Sequence, residues 1–141
     1  MHPVLDPSEW DRLLQSIPPH YRNLRAPAAE ASLREVEACM GQALPRGFRN
    51  FLCAVDGGFL GQCQILGTHE LKRPWPTGLP AGLMPFHPVG QGYECLDLRS
   101  EDGSAWIEAV VVWWQPGRTA ERTYNDFTDW ALDQIQDVVG A

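Results

Sequence analysis

The sequence predicts an α+β domain with N-terminal helices, a central, largely antiparallel sheet and a C-terminal helix packed on that sheet. Three observations carry this expectation. Apolar residues recur at helical spacing over residues 33–55 and again over 127–138. The run Ala105–Trp114 is apolar on both faces, and glycine and proline crowd the stretch between. Helices, then strands, then a last helix is the order of an α+β fold. At 141 residues the chain has the length of one domain, and such a domain buries about 70% of its unfolded surface without metal or disulfide staples. We read 1–141 as a single domain, with residues 1–30 a helical appendage packed on the main body.

Taking the helices in order, Ser8 is expected to cap the first, with Asp11 reaching back to it. Trp10, Leu13, Leu14 and Ile17 mark its apolar side, and Pro18-Pro19 ends it. A linker follows through Arg25-Ala26-Pro27. Ser32-Leu33-Arg34-Glu35 has the S-x-x-E form of a capping box, followed by Leu33, Val36, Met40 and Leu44 on one face, with Gly41 as the stop. Pro45 opens the next helix across a tight Leu44-Pro45 elbow. Phe48, Phe51, Leu52 and Val55 form its buried stripe, and Asp56-Gly57-Gly58 provides a sharp exit.

Phe59–Leu66 reads as a strand interrupted at Gly61, and residues 67–82 read as loop. Leu83–Val89 is at most an edge strand, because its prolines cannot donate to a ladder. Tyr93–Leu98 is a short strand, Asp102-Gly103 a turn, and Ala105–Trp114 a central strand ended by Pro116-Gly117. Asn125 or Asp126 caps the last helix, with Phe127, Trp130, Ala131, Ile135 and Val138 inward and Asp129, Asp133 and Asp137 outward.

Charge narrows the function. Eighteen acidic against eleven basic side chains leave a net charge of −7. That argues against a nucleic-acid binder, which needs clustered Lys and Arg on phosphates, and suits a basic protein partner. No apolar run approaches the ~20 residues of a membrane helix. The first residues lack the basic and apolar regions of a signal peptide, so a cytoplasmic location is expected.

No cofactor is implied. Gly57-Gly58-Phe59-Leu60-Gly61 lacks the lysine of a phosphate loop, and His2, His20, His69 and His87 show no zinc spacing. Cys39, Cys53, Cys63 and Cys95 form no Cys-x-x-Cys pair; Cys39 and Cys53 fall on apolar helical faces, so buried, reduced thiols are expected. Cys53 sits mid-helix, away from the exposed, electropositive setting a nucleophile requires. Glu35 with Glu37 and Glu101 with Asp102 read as solvated surface pairs. His69-Glu70 is the pair a hydrolase would use, given a third polar group converging on it. The expectation is that the chain is not an enzyme. Of six tryptophans, Trp106, Trp113 and Trp130 read as core. Trp75, between Lys72-Arg73-Pro74 and Pro76, is either an interface anchor or a plug under its own loop.

One stretch adds more. Glu37-Ala38-Cys39-Met40-Gly41-Gln42-Ala43-Leu44-Pro45-Arg46-Gly47-Phe48-Arg49-Asn50-Phe51-Leu52, followed by Asp56-Gly57-Gly58, resembles the SUKH superfamily. Its members carry a glutamate, a glycine one turn later, Leu-Pro, an aromatic, a Phe-Leu-like pair and a closing glycine. Leu83-Met84-Pro85-Phe86, the strand with Leu96-Asp97-Leu98, the long apolar strand and the Phe127-centred helix follow in the same order, so the resemblance spans about residues 30–138. It implies an α+β protein-binding module. In bacteria that means an immunity protein that neutralises a toxin, commonly a nuclease; fungal relatives are regulators acting through protein contacts. The partner expected here is a cognate basic toxin domain, with a regulatory adaptor of host proteins as the alternative. Expected contact positions are Trp75 and the acidic residues Glu94, Asp97, Glu101 and Asp102, with a purely structural role as the alternative for Asp97.

Overall fold

The computed structural model describes residues 4–99 and 109–140. Among these it contains helices, a 3₁₀ turn and two antiparallel sheets, which makes the protein α+β.

Helix α1 (Pro7–Gln15) is capped by Asp6 rather than Ser8. The Asp6 carboxylate accepts the Glu9 N–H at 2.8 Å, and Glu9 accepts the Asp6 N–H at 3.2 Å. Pro7 then takes the first helical position, where a missing N–H costs nothing. After the 3₁₀ turn Pro19–Tyr21, the expected linker holds a strand, β1 (Arg22–Leu24). It pairs with β2 (Gly58–Leu60), which turns back into β3 (Cys63–Ile65). The interrupted strand expected over Phe59–Leu66 is thus a hairpin, with Gly61 at φ +59° in its turn. Gly58 is required where β1 and β2 meet, because a Cβ there would lie 2.3 Å from the Asn23 carbonyl oxygen.

Helix α2 (Glu30–Met40) starts earlier than Ser32 and has no side-chain cap, so the S-x-x-E box does not form. Gly41 ends it in the left-handed region at φ +76°, as expected. Helix α3 (Arg46–Ala54) begins directly behind Pro45. Glu37 holds the elbow: its Oε2 accepts the Leu44 N–H at 2.8 Å and the Arg49 Nε–H at 3.2 Å. A short helix, α4 (Thr68–Leu71), lies within the stretch expected to be loop, its first turn fastened by the Thr68 N–H and hydroxyl donating to Asp56.

The second sheet runs β4 (Leu83–Val89), β5 (Gly92–Asp97), β6 (Val111–Trp114) and β7 (Glu121–Tyr124) in that order. Proline-bearing β4 takes an edge of this sheet, and its Phe86 carbonyl accepts the Leu66 N–H at 2.8 Å, tying the two sheets together. β6 is interior, as expected. Its expected beginning at Ala105–Glu108, Trp106 and the Asp102-Gly103 turn lie outside the described residues. The polar strand β7 carries no apolar alternation, and its pairing to β6 makes it a strand.

Helix α5 (Phe127–Val139), capped by Asp126, packs on the sheets: Trp130 lies edge-on to Phe86 at 4.8 Å. Phe127 sits among Trp10, Phe48, Phe51 and Phe86, with ring centroids 4.9–5.8 Å away. All of these rings are fully buried. Trp10, Leu14 and Ile17 therefore contribute to the main core. The other face of the second sheet carries a smaller cluster of Leu83, Cys95, Val112 and Trp114. Trp114, not Trp113, is the buried tryptophan of β6; Trp113 is half-buried on the opposite face. All four cysteines are free, and Cys39 is exposed rather than buried because it falls on the outer side of α2.

Candidate partner-binding surface

Two β-bulges decide which side chains face α5. In the β4–β5 pairing, Pro85 opposes Cys95 and His87 opposes Glu94, so Phe86 is the extra residue. Phe86 and His87 therefore both point toward α5, their rings 4.8 and 5.1 Å from Trp130. In the β6–β7 pairing, Val111 opposes Tyr124 and Val112 opposes Arg122, which leaves Thr123 as the extra residue. Thr123 and Tyr124 consequently share the α5 side. Thr123 donates its hydroxyl to Glu94 Oε2 at 3.0 Å, and Tyr124 donates to Asp133 on α5.

Helix α5 covers only part of this face. Beyond it a cavity of about 620 Å³ opens between the β4–β5 turn and β7, lined by Val89, Gly90, Glu94, Trp113, Thr123 and Tyr124. Glu94 is half-buried within it and accepts the Trp130 indole N–H at 2.7 Å on its other oxygen. Both donors are neutral, so they orient the carboxylate without cancelling its charge. Trp113 stands across from Glu94 on β5 and from Glu121 on β7. Burial and the carboxylates of Asp133, Glu94 and Asp137 raise the Tyr124 hydroxyl well above the usual tyrosine range.

Trp75 occupies a different place. It is half-buried against the main core, and its indole N–H donates to the Leu71 carbonyl at 3.0 Å. It forms a ridge between two cavities. One, of about 350 Å³, includes Cys39, Lys72 and Leu98. The other, of about 440 Å³, is walled by Pro74, Pro76, Pro85, Pro88 and Tyr93. Strand alternation along β5 sends Glu94 toward α5 and Tyr93 and Cys95 to the opposite side, so Trp75 and Glu94 line separate cavities. Asp97 grips Arg99, accepting from Nε at 2.9 Å, Nη2 at 3.0 Å and the backbone N–H at 2.9 Å. Burial raises its pKa, but the Arg99 bonds outweigh this and hold the carboxyl below the usual aspartate range. Glu101 and Asp102 lie outside the described residues.

The groups suited to catalysis are engaged elsewhere. His69 Nε2 accepts from Arg73 at 2.9 Å. Glu70 binds Arg25 at 2.7 and 2.8 Å and accepts the Gly67 N–H at 2.9 Å, which makes it a clamp between the β1 segment and α4. Sequence spacing gave no sign of one further pair. Cys63 Sγ lies 3.6 Å from His87 Nδ1, a contact made only because β3 runs beside β4. Here Nδ1 donates to the Gln64 carbonyl at 2.7 Å. Burial, with Glu94 adding to it, pushes the Cys63 thiol up to about 12, the opposite of what a thiolate nucleophile needs. Among the described residues no group of three or more His, Cys, Asp or Glu side chains could hold a metal ion. No described helix is long and apolar enough to cross a membrane.

No curated protein matches the chain. The family model SUKH_5, described as SMI1-KNR4 cell-wall, matches residues 12–136. The match begins inside α1, upstream of the segment that carries the resemblance, and runs to the last turns of α5. With most of its length covered, the chain belongs to the SUKH superfamily.

Proposed function

We propose that this chain is a non-enzymatic protein-binding module, a bacterial immunity protein that neutralises a basic toxin domain, most simply a nuclease, by direct occlusion. Family membership is the observation that carries this reading. The net charge of −7 supports it, since opposite potentials speed encounter with a basic partner. Trp75, Glu94, Asp97, Glu101 and Asp102 are the proposed contact positions. Trp75, braced by Leu71, would serve as a rigid anchor that loses little entropy on binding. The protein would act in the cytoplasm, where an incoming toxin meets its targets. Copurification and calorimetry with the toxin domain encoded beside its gene test the proposal. A one-to-one complex that abolishes toxin activity is expected; a toxin that stays active and unbound at micromolar concentrations overturns it. The cell-wall description attached to the family favours a second reading, a regulatory adaptor binding host proteins. That reading gains if no toxin gene adjoins this one.

A further inference from the structure

The cavity beyond α5 has a chemistry of its own. Two aromatic residues, Trp113 and Tyr124, line it together with the Glu94 carboxylate, and among the described residues no arginine or lysine does. Glu94 is oriented from both sides, by the Trp130 indole and the Thr123 hydroxyl. Among the described residues no cation pairs with it. Two further carboxylates neighbour its aromatic residues: Glu121 opposes Trp113 across the β6–β7 ladder, and Asp133 takes the Tyr124 hydroxyl. A fixed anion beside half-buried aromatic rings that line an open cavity suits a cation that is also flat and weakly hydrated. A guanidinium meets that description better than an ammonium, because it stacks on a ring while its N–H groups reach a carboxylate.

We infer that this cavity receives an arginine side chain of the partner protein, stacked against Trp113 and hydrogen-bonded to Glu94. The inference deepens the proposed function and rests on it for the identity of the partner, but the cavity's preference for guanidinium does not depend on what that partner is. Thr123 and Tyr124 reach the cavity together only because of the β7 bulge, so the same irregularity that sets the register builds the receptor. The Glu94 carboxylate needs no rearrangement to accept a cation, which removes an ordering cost from binding.

The test uses the full chain, ¹⁵N-labelled, titrated with acetyl-Gly-Arg-Gly-amide and with matching peptides carrying citrulline or lysine. The expected result is a saturable shift of the Trp113 and Trp130 indole N–H signals and of the Gly90 amide with the arginine peptide. The lysine peptide should bind more weakly, and citrulline, which is isosteric but neutral, should give no shift. Glu94→Gln should weaken arginine-peptide binding roughly ten- to a hundredfold, as loss of a charge-assisted bond does. Glu121→Lys, at an exposed position remote from the core, should weaken it in a protein whose fold is unchanged. Equal shifts with citrulline, or arginine shifts confined to other parts of the protein, overturn the inference. A toxin domain that binds wild type, Glu94→Gln and Glu121→Lys equally overturns it while leaving the proposed function standing. Selective arginine-peptide binding with no toxin binding leaves the cavity assignment standing and removes the proposed function.

Discussion

Trp130 donates its indole N–H to Glu94 at 2.7 Å, joining the most buried part of α5 to the floor of an open cavity. One carboxylate therefore has two duties. It satisfies a donor that would otherwise be buried without a partner, and it holds negative charge where solvent reaches it.

Glu94→Ala should therefore destabilise the fold by about 1–3 kcal/mol, the cost of stranding a buried donor. Glu94→Gln keeps an acceptor for Trp130 and should cost less. Urea denaturation decides this through the midpoint, with the slope unchanged. If Glu94→Ala and Glu94→Gln proved equally mild, the Trp130 bond would carry no stability.

The elbow between α2 and α3 makes a second comparison. Arg49 binds both Glu30 and Glu37, but Glu30 is 54% exposed and Glu37 only 19%. Glu37 also accepts the N–H of Leu44, a buried residue. Glu37→Ala should cost about 1–3 kcal/mol through the unsatisfied Leu44 donor. Glu30→Ala should cost far less, because its ion pair is exposed to solvent. Thermal unfolding of the two variants side by side checks the ranking.

Where local chemistry alone sets an element, the sequence was a sufficient guide. Gly41 stops α2 and the Leu44-Pro45 elbow opens α3 because each needs only a backbone preference. The aromatic stripe of α5 follows from its period. Asp6 as the true cap of α1 was equally local, but Ser8 competed with it and the placement of Pro7 settled the register. β1 and β7 were not legible, because Arg22-Asn23-Leu24 and Glu121-Arg122-Thr123-Tyr124 are strands only by pairing with distant partners. The cavity was hidden for the same reason. Glu94 could be named from charge, but Trp113 meets it only by cross-strand pairing, and Thr123 and Tyr124 through a bulge that no periodicity reveals. Cys63 and His87 likewise meet only in three dimensions.

Acid sensitivity should trace to the clamped carboxylates. Burial raises the Glu70 pKa, but the Arg25 guanidinium and the Gly67 N–H outweigh it and hold the carboxyl below the usual glutamate range. Its folded-state pKa therefore lies below its unfolded one. The stabilisation is present above the unfolded value and is lost as pH falls through the folded one. Glu70→Gln should thus lower stability at pH 7, and its gap from wild type should narrow as pH falls through the folded-state value, where the wild-type carboxyl loses its charge. Asp97→Asn should follow the same course through Arg99. A gap between Glu70→Gln and wild type that stays constant from pH 7 to pH 3 would exclude the clamp as its source.

Two glycines separate backbone strain from steric collision. Gly41 has φ +76° and nothing within 4 Å of the place a methyl group would take, so Gly41→Ala meets only the left-handed backbone penalty, about 1–2 kcal/mol. Gly58 has φ +125°, and a Cβ there would also lie 2.3 Å from the Asn23 oxygen and 2.8 Å from the Leu24 Cα. Neither of those atoms belongs to a flexible side chain, so β1 must move away from β2. Gly58→Ala should therefore cost more than Gly41→Ala and remove hydrogen-exchange protection selectively from the β1–β2 amides. Gly41→Ala should leave that protection in place and lower the melting temperature by only a few degrees, about what 1 kcal/mol does in a domain of this size. Equal melting temperatures for the two variants would mean that β1 is held by something other than its close approach to Gly58.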